Sequence, residues 1–512
     1  TEEIAMGDNG GAIPQSIPCS LRSSSTIVAH PNFLWSSTKI LGMSLRTIWN
    51  LKSGVNVGFL WLLRRPISFS SRAAMDMAAK DGELRVFIVA GEVSGDTLGS
   101  RLMASLKKLS PYPVHFVGVG GSMMCKLGLK SLFPMEDIAV MGIWELLPHL
   151  NKFRLKLKET IEAALLFRPH VVVTVDSKGF SFRLLKQLRA RYDEQGLVSP
   201  PLFHYVAPSF WAWKGGEARL KGLPEFVDHV LCILPFEDEI CRLNGLPATF
   251  VGHPVLEDVL ELNSVQLCGK DTTENGWIVR GSSEEFRSQY GIPSGATIIT
   301  LLPGSRLQEV TRMLPIFLKA MKQLKDFFSE LTAVVHVAPN QHVEGYISSV
   351  VHEWPVSVIS IPGGSPKLKY DAFSASRVAL CTSGTVALEL QLARVPCVVA
   401  YRAHLLTEWF IRYKAKVPYI SLPNILLDSA IIPEALFQAC TPSKLASLIM
   451  ELIQNEGPRE EQIIAAEKVI KLLRPSQRTI RNSTEQEFRH VFPDYTPSMI
   501  AASTVLYSAT RR

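Results

Sequence analysis

From Leu84 onward, short runs of β-branched and apolar residues alternate with longer amphipathic segments. RVFIVA (85–90), VHFVGVGG (114–121), HVVVTVD (170–176), PLFHYVAP (201–208), HVLCIL (229–234) and ATFVGHP (248–254) are apolar almost continuously, not at every second residue. A strand that is apolar on both faces must be covered on both, which is the condition of a parallel sheet sandwiched between helices. Segments between them, such as NKFRLKLKETIEAALLF (151–167), carry the three-to-four spacing of helices with one buried face.

The alternation breaks at NSVQLCGKDTTENGWIVRGSSEE (263–285), which is polar and aperiodic. It resumes with TIITLL (297–302), LTAVVHVAP (331–339), VSVIS (356–360), RVALC (377–381) and PCVVAY (396–401). After Pro433 only helical patterns remain, and PDYTPSMIAASTVLYSATRR reads as frayed. The expected organisation is a presequence over 1–80, a doubly wound α/β domain over 84–262 and a linker or insertion over 263–290. A second doubly wound domain follows over 291–430, then C-terminal helices over 431–490 and a loose tail over 491–512. A chain of 512 residues has ample length for two such cores.

No Asp or Glu occurs from Asn9 to Met75, while Arg22, Lys39, Arg46, Lys52, Arg64, Arg65 and Arg72 do, among many serines. That is the composition of an organelle transit peptide. Setting aside those cations and Glu2, Glu3 and Asp8 lowers the net charge from +7 to +3, so no nucleic-acid partner is expected. The arginines and LLRRPISFSSRAAM point to a mitochondrion rather than a plastid. VGFLWLL (57–63) is far shorter than the ~20 residues of a membrane span. The eight cysteines contain no C-x-x-C pair, and neither a zinc site nor a disulfide framework is expected.

Open parallel sheets bind ligands beyond the carboxyl ends of their strands, and the unusual residues lie at such turns. TIITLL ends at Pro303-Gly304-Ser305-Arg306 and a helix begins at once. A helix start exposes unpaired N–H groups and about half a positive charge. Gly304 lets an anion approach the backbone, Ser305 can donate to it, and Arg306 adds a fork of donors suited to phosphate. A second turn, Ser383-Gly384-Thr385, follows RVALC, with Glu389 one helical turn further on and placed to accept from a ribose diol. Together these describe a nucleoside diphosphate site.

In the first half, AGEVSGD (90–96) lacks G-x-G-x-x-G spacing, and Glu92 and Asp96 would repel a pyrophosphate. Glu92, Ser94 and Asp96 suit sugar hydroxyls instead. Asp176 ends a buried strand, where a carboxylate is costly unless paired or working; burial would raise its pKa toward that of a useful base. Capping of the helix that follows is the competing role. No acidic pair is placed to hold a metal.

AGEVSGD, GVGGSMM, EDIAVMGIWELL, HYVAPSFWAW, LPFE, FVGHP, LLPGSRLQEV, TSGTVALE and SLPN occur in that order. The set resembles the lipid-A-disaccharide synthases, inverting glycosyltransferases of the GT-B fold. The resemblance implies two Rossmann-like domains facing across a cleft, with the acceptor on the first and the UDP-sugar on the second. It implies transfer of 2,3-diacylglucosamine from UDP-2,3-diacylglucosamine to 2,3-diacylglucosamine 1-phosphate, giving a β-1,6 disaccharide 1-phosphate and UDP with no cofactor. Asp176 falls on the family's catalytic carboxylate and Arg306 on its LPGSR arginine. Arg402 and Asn424 join Gly304, Ser305, Ser383, Gly384, Thr385 and Glu389 in the UDP-sugar group. Lys178, which follows Asp176 where the family more often has a different loop, joins the acceptor group. Acylated substrates call for a peripheral membrane contact, and the apolar Met141, Ile143, Trp144 and Leu147 beside Lys152 and Arg154 would supply it. A homodimer is a further expectation. The turns alone also fit a UDP-sugar 2-epimerase, a transferase with another lipid acceptor, or a UDP-sugar-binding regulator without catalysis.

Overall fold

The structure is a computed structural model that describes residues 74–138, 143–266, 278–382, 384–475 and 496–508; of 143–150 and 263–266 it describes the backbone only. The presequence expected over 1–80 therefore lies outside the described residues as far as residue 73. Across the last part of that range, Ala74–Asp81 is a helix with Ala74 and Ala78 fully buried.

The first lobe is built on a parallel sheet of seven strands: β1 (Leu84–Ala90), β2 (Val114–Val119), β3 (Leu129–Ser131), β4 (Val171–Val175), β5 (Leu202–Tyr205), β6 (His229–Cys232) and β7 (Ala248–Phe250). Their order is β3-β2-β1-β4-β5-β6-β7. The second lobe has β8 (Thr297–Leu302), β9 (Leu331–His336), β10 (Ser357–Ile361), β11 (Val378–Cys381), β12 (Cys397–Tyr401) and β13 (Glu434–Leu436), ordered β10-β9-β8-β11-β12-β13. Both are doubly wound sheets whose winding reverses once, between β1 and β4 and between β8 and β11. At such a reversal the flanking helices run off to opposite faces and leave a crevice.

The central strands are buried throughout, as their unbroken apolar runs require: β4 shows no exposed residue and β8 only a half-buried Thr297. The helix Leu307–Leu324 covers the second sheet with Val310, Met313, Leu314, Phe317, Ala320, Met321 and Leu324, the spacing of one helix face. Burying a side chain such as Phe317 stabilises by about 1.5–3 kcal/mol.

Three expectations are corrected. The linker range is partly regular: Ser283–Gln289 is a helix capped by Ser282, and Val279 is buried. Glu434–Leu436 adds a strand where only helices were expected. The tail is not loose, because Pro497–Tyr507 is a helix packed on the first lobe's helix Val93–Leu109. Met499, Ile500, Val505 and Leu506 enter the first lobe's core, and Ser498 Oγ lies 2.8 Å from Ser105 Oγ. The helix Glu456–Leu473 brings the chain back. Its Val469, Ile470 and Leu473 share a cluster with Leu234, Phe236, Val255 and Leu256 of the first lobe and Leu388 and Val399 of the second.

Candidate active site

Register places the two reversals side by side with chemistry. Ala90 pairs with Val175 across β1 and β4, so Gly91-Glu92 and Asp176 leave the sheet abreast. Leu302 pairs with Cys381 across β8 and β11, so Pro303-Gly304-Ser305 and Thr382 do the same in the second lobe.

In the first lobe the backbone is strained at this edge. Asp176 and Ser177 both take left-handed conformations, with φ of 49° and 43°, and Val206, next to β5, has φ 77°. Such conformations cost about 1–3 kcal/mol each and persist where the surroundings impose them. Here the Asp176 amide donates to the Tyr205 carbonyl at 2.9 Å and the Ser181 hydroxyl to the Asp176 carbonyl at 2.7 Å. Gly91 leaves room for the turn, since a Cβ there would stand 2.6 Å from Ser177 Oγ. The carboxylate of Asp176 is thus held out beyond the strand with its backbone pinned. Burial raises its pKa, and the Ser177 amide, Lys178 and Arg306 pull part of that back. Glu92 is raised by burial and by the Asp176 charge, against Arg306 and Lys178. Arg306 Nη2 of the second lobe lies 4.0 Å from Glu92 Oε2 of the first. Two carboxylates with raised pKa values, with Lys178 beside them on the first lobe, therefore face Arg306 of the second lobe across the cleft.

The second lobe contributes a cavity of about 280 Å³ lined by residues from both turns, among them Gly304, Ser305, Thr382, Gly384, Thr385 and Glu389. Gly304 and Gly384 have φ of 122° and 137°, conformations other residues rarely adopt. The Ser305 amide donates to Glu309 Oε2 at 3.2 Å, so a carboxylate already sits on the donors at this helix start. Burial raises the pKa of Glu309. Glu389 Oε1 is 2.9 Å from Lys369 Nζ, and both line the cavity. His336, also in the lining, is pushed down to about 4 by burial and then by Lys369. Among the described residues no three His, Cys, Asp or Glu side chains converge as a metal site would need.

The family model for lipid-A-disaccharide synthetase matches residues 86–488. The chain belongs to the lipid-A-disaccharide synthase family. A relative named "Probable lipid-A-disaccharide synthase, mitochondrial", from Arabidopsis thaliana, is 64% identical over 446 residues, covering 86% of this chain and 95% of that protein. The lipid-A-disaccharide synthase of Rhodospirillum centenum is 41% identical over 429 residues, covering 84% of this chain and 96% of its own length. Among solved structures, a Methanocaldococcus jannaschii UDP-GlcNAc 2-epimerase in complex with UDP-GlcNAc and UDP has a TM-score of 0.46 at 12% identity, covering 76% of this chain and 99% of that one. Nothing in the family match or in these relatives supports the epimerase or regulator alternatives.

Not every residue expected at this family member's site points into it. Asp96 is buried, and its two oxygens accept from the amides of Gly121, Met123 and Met124 at 2.9–3.0 Å. It holds the GVGGSMM turn and leaves no free oxygen for a sugar hydroxyl. Asn424 is also fully buried: its amide donates to the Ile432 carbonyl and Glu434 Oε1 and accepts from the Ile432 amide. It ties SLPN to β13 and presents no free polar atom to a ligand. Arg402 turns its guanidinium to the Cys440 carbonyl at 3.3 Å and is absent from the cavity lining. Ser94 is exposed at the start of Val93–Leu109. Lys178 opens the helix Lys178–Glu194, with Nζ 5.9 Å from the centre of the Phe210 ring. Ser383 lies outside the described residues.

Of the expected membrane patch, Met141 and the side chains of Ile143, Trp144 and Leu147 lie outside the described residues. Lys152 pairs with Asp137 at 2.7 Å and Arg154 is exposed, while Phe153, Leu157 and Ile161 of the same helix are core. No described helix is long and apolar enough to cross a membrane. Sequence reasoning missed Glu309, Lys369 and His336. The one available signal was Glu309, which stands where a helix-entry carboxylate reaches back to its own first turn.

Proposed function

We propose that this chain catalyses the lipid-A-disaccharide synthase reaction: it transfers 2,3-diacylglucosamine from its UDP derivative to the 6-hydroxyl of 2,3-diacylglucosamine 1-phosphate, with inversion. The observation that carries the reading is the opposition of Asp176 and Glu92 on one lobe to Arg306 on the other. Asp176 takes the proton from the acceptor hydroxyl, and its raised pKa makes it a stronger base than an exposed aspartate. That oxygen then attacks the anomeric carbon opposite the departing UDP. Arg306 and the two helix starts stabilise the charge that grows on the pyrophosphate. Glu309 keeps the Gly304–Arg306 turn in shape until the diphosphate arrives.

The stretch from Asn9 to Met75, basic and without Asp or Glu, and the name of the Arabidopsis relative support a mitochondrial location. Acylated substrates place the enzyme on a membrane surface. Incubation of the purified chain with both acylated substrates should yield disaccharide and UDP. Asp176→Ala should keep UDP binding and lose transfer; full activity in that variant would remove Asp176 from the mechanism.

A further inference from the structure

The helix Leu405–Lys414, LLTEWFIRYK, is amphipathic the wrong way round for a soluble surface. Its buried residue is the charged Glu408, at 4% exposure, paired with Arg412 at 2.9 Å. Its outer face is apolar: Leu405, Leu406, Trp409, Phe410 and Tyr413 are 65%, 74%, 68%, 51% and 59% exposed. Neighbours within this set are one, three or four residues apart, so they form one stripe along the helix. Trp409 and Tyr413 stack with ring centres 5.9 Å apart and planes 5° from parallel.

The stripe lies at the mouth of the cleft. The helix follows β12 at its carboxyl end, and the first-lobe segment that meets it follows β5 at its own. Lys214 donates its amide to the Lys414 carbonyl and Lys416 to the Ala212 carbonyl, each at 2.8 Å, and Trp213 forms a bridge with Ala415. Trp213 also brings its ring within 6.2 Å of Phe410. The apolar surface therefore runs from one lobe to the other.

We infer that this two-lobe aromatic rim, built on Leu405–Lys414 and Trp213, is a docking surface for an anionic lipid bilayer. Charge decides between that occupant and a second copy of the chain. Lys214, Arg412, Lys414 and Lys416 edge the stripe, with Lys214 and Lys414 within 6 Å of the Tyr413 ring centre at 5.8 and 5.3 Å. The acids among them, Glu408 and Glu217, are taken up by Arg412 and Lys416. A two-fold pairing would set these cations against themselves. An anionic interface accepts both the cations and the aromatic rings, which belong at headgroup depth. The inference rests on the reading above that the substrates are acylated sugars: their chains stay in the bilayer while the sugars enter the cleft beside it.

Vesicle flotation of the full chain tests it without any sugar substrate. The protein should float with phosphatidylglycerol–phosphatidylcholine vesicles and much less with phosphatidylcholine alone. The triple variant Leu406→Ser, Trp409→Ser, Phe410→Ser should float about ten-fold less or worse, with unchanged melting temperature and UDP binding. Lys214→Glu with Lys414→Glu should weaken the anionic vesicles only. Equal flotation of wild type and triple variant overturns the inference, as does equal flotation with both lipids. A dimer that the triple variant breaks, without flotation, assigns the face to a second copy and also overturns it. If flotation follows the pattern but no disaccharide forms from the acylated substrates, the docking surface stands and the proposed reaction falls. If detergent-dispersed substrates react and flotation ignores the variants, the reverse holds.

Discussion

Asp176 and Arg306 divide the chemistry between the lobes, and each makes a separable prediction. Below its raised pKa Asp176 holds a proton and cannot serve as base, so kcat/KM should fall as pH falls through that value. The acid limb should lie above the ordinary aspartate range. Lys178 and Arg306 hold that pKa down, so Lys178→Ala should move the limb to higher pH, read from the pH–rate profile. An unmoved limb would mean that another group sets it. Arg306→Ala should lower kcat by about 10²–10³-fold, the usual cost of one preorganised donor to developing charge. Arg306→Lys should recover part of that, because a point charge replaces a fork. Asp96 behaves otherwise. Its oxygens serve three backbone amides, so Asp96→Ala should show first as lost stability.

At the scale of elements, the helix Pro497–Tyr507 carries the clearest test. Leu506 is fully buried in the first lobe's core, so Leu506→Ala should cost about 2–5 kcal/mol, read as a shift of the urea midpoint. A loose tail would give less than about 0.5 kcal/mol. That helix was illegible in the sequence for a physical reason. Nearly all its residues, including Ser498 and Thr504, are buried, so PSMIAASTVLY shows no polar face and no period. The strands β1, β4, β8 and β11 were legible because burial on both faces writes continuous apolar runs. LKS and EAL, the three residues of β3 and of β13, are too short to carry any pattern. The site divides in the same way. Gly304 and Asp176 announce themselves as a glycine and a carboxylate at strand ends. Lys369 and His336 reach the cavity from other elements, which spacing cannot reveal. The stripe on Leu405–Lys414 has ordinary helical spacing, and only the fold shows that its apolar side faces out.

For the whole molecule, buried titratable groups set opposing pH dependences. His204 and His253 are pushed down to about 3, and His229 and His336 to about 4, all by burial. The unfolded chain binds protons at these sites near 6.5 while the folded chain does not, so they lower stability as pH falls below that value. Glu237 has the other sign. Burial pushes it up to about 7, although Trp211 Nε1 and the Leu234 amide both donate to it at 3.1 Å. Between 4.5 and about 7 the folded state keeps a proton that the unfolded state has lost, so stability falls as pH rises, by about 1.4 kcal/mol per pH unit. Glu237→Gln removes this group and leaves the others in place. Its amide loses one of the two accepting oxygens, a cost independent of pH. The stability of the variant relative to wild type should therefore climb from about pH 4.5 to about pH 7 and stay level above. Urea midpoints at a series of pH values measure that difference. A difference that is flat across the window would mean that Glu237 is ionised in the folded protein, and that the Trp211 and Leu234 donors outweigh its burial.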